Sequence, residues 1–143
     1  MKFSTRSKYG LNAMLHLALC GGGGPVSIKD ISEAQSISEA YLEQLFIPLK
    51  KGGFIHSVRG AQGGYTLADR PENISVGAII RTLDGPIAPA DCVGEASAGC
   101  ARGDECPGKL VWEKLSRSIN DVIDSFTLAD VLEEYQTKDR KGH

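Results

Sequence analysis

The sequence predicts a mainly α-helical protein with a small β-hairpin, arranged as a winged helix-turn-helix followed by a long C-terminal helix. Three short segments in the first half repeat apolar residues at spacings of three and four. An alternating segment with a glycine-rich turn follows them, and a long helical stripe lies near the C-terminus. The chain has 143 residues, 41% of them hydrophobic, which suits one compact domain, or one domain with a helical extension.

Each of the first three helices is expected to begin at a hydroxyl residue. The candidate N-caps are Ser4 or Thr5 for the first helix, Ser27 for the second and Ser38 for the third. The second helix is predicted to end near Glu33 and the third near Lys51. Pro48 predicts a kink or an early end of the third helix, because proline removes a backbone hydrogen bond.

A β-hairpin is predicted after the third helix. The segment 54–58 alternates as a strand, 60–64 supplies turn residues, and 65–67 returns as a second strand with Arg59 at the tip. Ser75 then caps a fourth helix, predicted over 76–83. Three short helices followed by such a hairpin are typical of a winged helix-turn-helix, whose third helix enters the major groove.

The chain is therefore divided into four parts. Residues 1–83 form the predicted DNA-binding domain, and 84–107 form a cysteine-bearing sensor loop without periodicity. Residues 108–136 hold a dimerisation helix over about 109–125 and a last short helix, leaving 137–143 as a flexible tail. The stripe on the long helix is longer than one small domain needs, so it predicts a homodimer. Its candidate dimerisation residues are Leu115, Ile119, Val122 and Ile123.

Charge is distributed unevenly along the chain. Residues 1–65 carry seven basic and four acidic residues, whereas 66–143 carry nine basic and fourteen acidic ones. A basic front half is expected to meet a polyanion. No apolar run is long enough for a membrane helix, and the N-terminus lacks the features of a secretory signal. We therefore expect a cytoplasmic protein without a membrane partner and without persistent disulfides.

Polar and basic residues of the third helix and the hairpin form a candidate DNA-binding set. Ser38, Tyr41 and Gln44 offer hydrogen bonds, and Glu43 could accept one from a cytosine amino group. Lys50, Lys51 and Arg59 could neutralise phosphates. The candidate residues are Ser38, Tyr41, Glu43, Gln44, Lys50, Arg59 and Gly60. The alternative is a helical core with solvated charges, in which Ser38 only caps a helix.

Three cysteines lie in the predicted sensor loop, at Cys92, Cys100 and Cys106. Thiolates on a glycine-rich loop could hold an iron–sulfur cluster, zinc or copper(I), or could remain free or redox-active. The spacing alone does not choose among these. Cys20, at the end of the first helix, is predicted to be a buried core thiol.

Three motifs closely resemble one family, and the two in the third helix and the wing match it nearly residue for residue. They are Ser-Lys-Tyr-Gly at 7–10, Tyr-Leu-Glu-Gln-Leu-Phe at 41–46, and Ser-Val-Arg-Gly-Ala-Gln-Gly-Gly-Tyr at 57–65. The sequence resembles the Rrf-two (Rrf2) family of bacterial winged-helix regulators over about residues 1–135, and especially its iron–sulfur cluster regulator branch, IscR. The resemblance implies a homodimeric transcription factor on palindromic double-stranded DNA. It also implies that Glu43 reads bases and that Arg59 reaches the minor groove.

The resemblance further implies a 2Fe–2S cluster on Cys92, Cys100 and Cys106, with a histidine three residues after the last cysteine. The sequence departs from this pattern twice: the first gap is seven residues instead of five, and Lys109 stands at the histidine position. A protonated lysine has no lone pair to give, so the fourth ligand is unassigned. The remaining candidates are His16, Asp104 and Glu105.

The expected function is a regulator that senses iron–sulfur status and controls cluster-biogenesis genes. One alternative is a cysteine-metabolism or nitric-oxide-responsive repressor of the same fold. Another is a regulator controlled by a protein partner, with inert cysteines. No His–Cys or Ser–His–Asp arrangement with motif context is present, so an enzyme is not expected.

Overall fold

A computed structural model of the chain describes residues 3–21, 24–88 and 107–141. These residues form six helices and one two-stranded antiparallel hairpin, which confirms the predicted fold class. A short 3₁₀ turn at Pro71–Asn73 precedes the fourth helix. In chain order the elements are α1 (Thr5–Leu19), α2 (Ile28–Gln35), α3 (Glu39–Lys51), β1 (Ile55–Val58), β2 (Gly64–Leu67), α4 (Val76–Asp84), α5 (Gly108–Ser125) and α6 (Leu128–Lys141).

The predicted N-caps are confirmed. The hydroxyls of Ser4, Ser27, Ser38 and Ser75 each accept a hydrogen bond of 3.1 Å from the backbone N–H three residues ahead. Each cap satisfies one of the four donors that a helix start leaves unpaired. The starts of α1 to α4 are therefore encoded locally.

The structure confirms the predicted end of α3 near Lys51, so of the two effects expected at Pro48, a kink or an early end, the early end is wrong. Proline in the last turn removes only one helical donor, and the Pro48 carbonyl still accepts a 2.9 Å hydrogen bond from Gly52. The last turn also carries Leu49, which is fully buried. Burial of such a side chain contributes about 1.5–3 kcal/mol, which offsets the missing bond.

The main core lies among α1, α2, α3, α4 and the hairpin. The first residue of α6, Leu128, also enters it, and its N–H donates to the carbonyl of Ile74 at 3.0 Å. The last helix is therefore anchored to the main core. The buried core residues are Ala13, Met14, Leu17, Ile31, Leu42, Leu45, Phe46, Leu49, Ile55, Ile74, Ile79, Leu83 and Leu128.

The hairpin is attached to the link between α1 and α2. Tyr65 and Val26 exchange two backbone hydrogen bonds of 2.8 and 3.0 Å. Gly64, with a φ of 154°, lies so close to this link that a Cβ would stand 2.1 Å from the Val26 carbonyl oxygen. Only glycine permits this approach. This hairpin of β1 and β2 is the wing of the fold. It is held by backbone contacts at its base while its tip is exposed.

A second, smaller core joins α5 to α4. Val76, Ile80 and Ile87 are buried, and side chains of α5 pack against them. The partly buried members from α5 and the following residue are Ile119, Ile123 and Phe126. The inner side of α5 therefore belongs to the fold of its own chain.

The end of α6 corrects the predicted tail. The helix extends to Lys141, so a short helix ending near Tyr135 and a flexible tail over 137–143 are wrong for residues 137–141. The apolar periodicity stops near Tyr135, but no glycine or proline follows until Gly142. Gln136 and Lys138 have high intrinsic helix propensity and extend the helix without burial, so an apolar stripe does not indicate its end.

The predicted cysteine loop lies mostly outside the described residues. Cys92, Cys100 and Cys106, together with Asp104 and Glu105, fall between residues 88 and 107. α4 runs to Asp84, one residue into the segment assigned to the loop. In the part of the chain that the structure describes, no helix is both long and apolar enough to cross a membrane.

The end of α4 caps the start of α1. The Asp84 carboxylate accepts hydrogen bonds from the backbone N–H of Ser4, at 3.3 Å, and from the hydroxyls of Ser4 and Ser7. Desolvation raises the pKa of Asp84, but these hydrogen bonds and the nearby Arg6 outweigh it, so the pKa lies below its ordinary value. The charged form is therefore favoured in the folded protein.

Asp84→Asn is expected to lower the free energy of unfolding near neutral pH by about 1 kcal/mol, a typical net value for a partly exposed charged hydrogen bond. Because the folded pKa lies below the unfolded value of about 4, the stabilisation is complete above that pH and is lost as pH falls through the folded pKa. Denaturant titrations of both proteins along a pH series test this. Glu134→Gln on the exposed side of α6 is the control. A deficit that stays constant below about pH 4 would contradict the assignment.

Candidate nucleic-acid interface and sensor region

The outer side of α3 is exposed and polar along most of its length. Glu43 and Gln44 are exposed, as are Lys50 and Lys51 in the last turn. The buried residues of α3, Leu42, Leu45, Phe46 and Leu49, lie on the opposite side. α3 therefore offers two potential base-reading side chains and two cations to solvent. Ile47 is also exposed there, a feature not predicted for this apolar residue.

Ser38 and Tyr41 have structural contacts besides their predicted DNA role. The Ser38 hydroxyl accepts from the backbone N–H of Tyr41, yet Ser38 is exposed, so its own O–H can still donate. The Tyr41 ring packs edge-on against Tyr9 of α1, with centroids 6.1 Å apart. This contact links the first turn of α3 to α1.

The wing is connected to α3 through a side-chain contact. Lys50 Nζ donates a 2.9 Å hydrogen bond to the Ser57 hydroxyl on β1. Arg59 and Gly60 are exposed in the turn beyond β1, and Gly60 has a φ of 114° that favours glycine. The predicted cations at the end of α3 and at the wing tip thus lie on structurally connected elements.

The predicted dimerisation residues divide into two groups. Leu115 and Val122 are exposed by 42% and 54%, two turns apart on α5. Ile119 and Ile123 instead are partly buried against the core that joins α5 to α4. The helical stripe thus spans an inner side and an exposed side. Three further exposed apolar residues at the start of α5, not among the predicted set, are Leu110, Val111 and Trp112.

A polar network that sequence reasoning missed joins α4, α5 and the segment before the cysteines. Arg81 donates two hydrogen bonds to the Asp124 carboxylate, at 2.6 and 2.9 Å, and another to the Asn120 side-chain oxygen. The bond from Arg81 holds the pKa of Asp124 below its ordinary value. Asn120 Nδ2 donates to the Ile87 carbonyl at 3.2 Å. Ile87, shortly before the cysteines, is therefore hydrogen-bonded to α5.

Cys20 differs from its prediction, because it is partly exposed and not a buried core thiol. The last turn of α1 lies at the domain surface, where Cys20 Sγ stands 3.8 Å from His16 Nε2. His16 is partly buried, and with Cys20 it borders an open cavity whose other described lining comes from the segment after α1 and from α2. The described surroundings of Cys20 and His16 therefore belong to α1, α2 and the segment between them.

Lys109 lies in the first turn of α5, with Nζ 3.9 Å from the Glu113 carboxylate. An ammonium group donates hydrogen bonds and cannot ligate a metal. Among residues 3–21, 24–88 and 107–141, no three His, Cys, Asp or Glu side chains come together so as to hold a metal ion.

Comparison with known proteins agrees with this geometry. Residues 3–134 match the family model Rrf2, described as an iron-dependent transcriptional regulator. The chain belongs to the Rrf2 family. It is 41% identical to the HTH-type transcriptional regulator IscR of Erwinia tasmaniensis over 92% of this chain and 79% of the relative. The recognised resemblance is thereby confirmed.

Two solved structures resemble this Rrf2 protein closely. The structure of CymR, the global cysteine regulator of B. subtilis, has a TM-score of 0.80 at 42% identity, covering 94% of this chain and 98% of that one. The T. potens IscR structure has a TM-score of 0.75 at 47% identity, covering 94% and 88%. This Rrf2 protein is a DNA-binding transcription regulator and not an enzyme, and regulators of its family function as dimers.

Proposed function

We propose that the protein binds a palindromic operator through α3 in the major groove and the wing beside it. The observation that carries this proposal is the common exposure of Glu43, Gln44 and the cations at Lys50 and Arg59, on elements joined by the Lys50–Ser57 hydrogen bond. The remaining side of α3 is buried in the core. Only the exposed outer side of α3 can therefore contact DNA.

The side chains on this surface divide into base-reading and backbone-binding groups. Glu43 would accept from a cytosine amino group, and Gln44 has the donor and acceptor needed for adenine. Lys50 and Lys51 would neutralise phosphates, while Arg59 would enter the narrow minor groove beside the wing. Ser38 would donate its hydroxyl hydrogen to a phosphate oxygen while capping α3. Tyr41 and Gly60 complete the proposed contact surface.

Glu43→Ala is expected to relax base preference at one position in each half-site, whereas Lys50→Ala should weaken binding to all sequences alike. Lys50→Ala should also reduce the salt dependence of binding by about one phosphate contact. Titration of operator variants at several salt concentrations separates the two effects. If both variants lose affinity uniformly across sequences, α3 does not read bases.

We further propose that Cys92, Cys100 and Cys106 hold a 2Fe–2S cluster. Three thiolates form a donor set that suits such a cluster. The IscR relatives support this assignment, and the described residues offer no competing group of metal ligands. Lys109 cannot serve as the fourth ligand while protonated, so that ligand must be another group, with Asp104, Glu105 and His16 as candidates. A bound cluster would supply a group whose presence depends on iron supply and oxidants.

The residues around the cysteine segment can couple it to the DNA-binding domain. The segment lies between α4 and α5, and the Arg81, Asn120 and Asp124 network joins these two helices. Asn120 also binds the carbonyl of Ile87, just before the segment. Cluster binding in the segment would therefore act on the junction between the DNA-binding domain and α5. We propose that the regulator controls cluster-biogenesis genes in this way.

A second candidate is a regulator of cysteine metabolism without a cluster, or one that responds to nitric oxide or to a protein partner. The similarity to CymR, described as a global cysteine regulator, favours it, as does Lys109 at the expected ligand position. Iron binding separates the cluster proposal from a cysteine-metabolism regulator and from a partner-controlled regulator with inert cysteines, since neither of these requires iron.

Anaerobic reconstitution is expected to give wild-type protein with iron and a visible absorption spectrum, whereas Cys92→Ala should retain neither. Lys109→His should slow loss of iron in air, because imidazole can complete the ligand set. Cys20→Ala is the control, since Cys20 lies outside the proposed set. Iron loading should also change which operators are preferred. Equal iron content and equal operator preference in wild type and Cys92→Ala would exclude this segment as the sensor.

A further inference from the structure

One large apolar side chain lies on the outer side of α3, among the proposed base-reading residues. Ile47 is 57% exposed, while its neighbour Phe46 is buried. Ile47 lies four residues after Glu43 and three after Gln44, so the three side chains are neighbours on one face of the helix. It therefore contributes little to the core and faces the same surroundings as these two polar residues.

The chemistry of the major groove offers one kind of partner for such a side chain. The edges of the bases present hydrogen-bonding groups, and the C5 methyl of thymine is the apolar group among them. Glu43 and Gln44 can satisfy polar edges, but neither can favour a methyl group. An aliphatic side chain one turn further along the helix can make the apolar contact with a methyl group that Glu43 and Gln44 cannot make.

We propose that Ile47 is a specificity-determining residue that recognises thymine through its C5 methyl group. The inference rests on the proposed placement of α3 in the major groove. One turn of helix is about 5.4 Å, against about 3.4 Å per base pair. The recognised thymine should therefore lie within about two base steps of the base that Glu43 reads.

The test removes the methyl group from the DNA. Duplexes are first selected from random sequence with the wild-type protein, and each thymine is then replaced singly by deoxyuridine. Wild type should lose affinity about fourfold at one thymine in each half-site, the effect of losing one buried methyl group. Ile47→Ala should bind the thymine and uracil forms of that position equally.

Two controls make the result specific. Thermal unfolding should be nearly unchanged in Ile47→Ala, because the side chain is exposed. Val58→Ala, which removes an exposed apolar side chain from the wing instead, should keep the wild-type pattern of uracil sensitivity. Uracil sensitivity that Ile47→Ala leaves intact, or that wild type never has, overturns the inference.

A parallel selection with Glu43→Ala distinguishes failure of the Ile47 inference from failure of the proposed placement of α3 in the major groove. If α3 lies in the major groove, Glu43→Ala shifts the selected base preference whatever Ile47 does. If neither Glu43→Ala nor Ile47→Ala changes preference, the placement of α3 itself is wrong.

Discussion

The double variant Leu115→Asp with Val122→Asp is expected to be a folded monomer. Both side chains are large, apolar and exposed on α5, two turns apart. In a dimer that pairs these surfaces, each buried side chain contributes about 2 kcal/mol. An aspartate there must also lose its hydration without a partner, which costs several kcal/mol more. The dimer dissociation constant should therefore rise by several orders of magnitude.

Sedimentation equilibrium measures this change directly, and operator binding should fall with it. Two linked DNA-binding domains bind one palindrome more tightly than separate ones, because the second contact becomes intramolecular. Arg117→Asp, on an exposed side of α5 away from Leu115 and Val122, should remain dimeric. A double variant that sediments like wild type would exclude this surface as the interface.

The same substitutions at Ile119 and Ile123 would test a different property. These residues pack against the core formed by Val76, Ile80 and Ile87, so aspartate there should destabilise the fold of the single chain. Monomers produced by such variants would not identify an interface. The structure thus decides which half of the predicted stripe gives an informative experiment.

Phe46→Ala is expected to lower the free energy of unfolding by about 3–5 kcal/mol, the usual range for a buried phenylalanine. Phe46 is 1% exposed, and its ring meets Tyr65 of β2 with centroids 4.6 Å apart. Tyr65 is in turn paired with Val26 through backbone hydrogen bonds. The variant therefore leaves a cavity between α3, the wing and the α1–α2 link.

Urea denaturation of matched variants tests this expectation. Ile47→Ala changes the adjacent residue of the same helix but should cost less than about 0.5 kcal/mol, because that side chain is exposed. Phe46→Leu should lose an amount of unfolding free energy between those of Ile47→Ala and Phe46→Ala, since leucine retains part of the buried volume. A loss below about 1 kcal/mol for Phe46→Ala would contradict the burial of Phe46 against Tyr65.

The elements that the sequence predicts well depend on short-range interactions. Ser4, Ser27, Ser38 and Ser75 cap helices through bonds to residues three positions ahead, so a local pattern suffices. The hairpin follows from alternation and glycine spacing in the same way. The predicted end of α3 near Lys51 is confirmed, whereas the early end allowed at Pro48 is wrong, because Pro48 acts locally while burial of Leu49 is a tertiary effect.

The candidate site was only partly predictable for a related reason. Glu43, Gln44 and Arg59 could be chosen from residue chemistry and family resemblance, and all three are exposed. The exposure of Ile47 could have been found from its spacing against the buried residues of α3. The contact of Asn120 with Ile87 could not, because the two residues are distant in sequence and belong to no recurring pattern.

By itself, the sequence determined the starts of α1 to α4 and the wing, because hydrogen bonds and periodicity over a few residues specify them. Its motifs at 7–10, 41–46 and 57–65 indicated the family by resemblance. The docking of α5 on α4 decided which residues of the apolar stripe on α5 are covered and which stay exposed. That docking partly buries Ile119 and Ile123 in their own chain and leaves Leu115 and Val122 exposed. A periodic stripe records which residues are apolar, but not which surface covers each of them. Only contacts between elements distant in sequence decide that, because each apolar side chain is buried by the surface that packs against it.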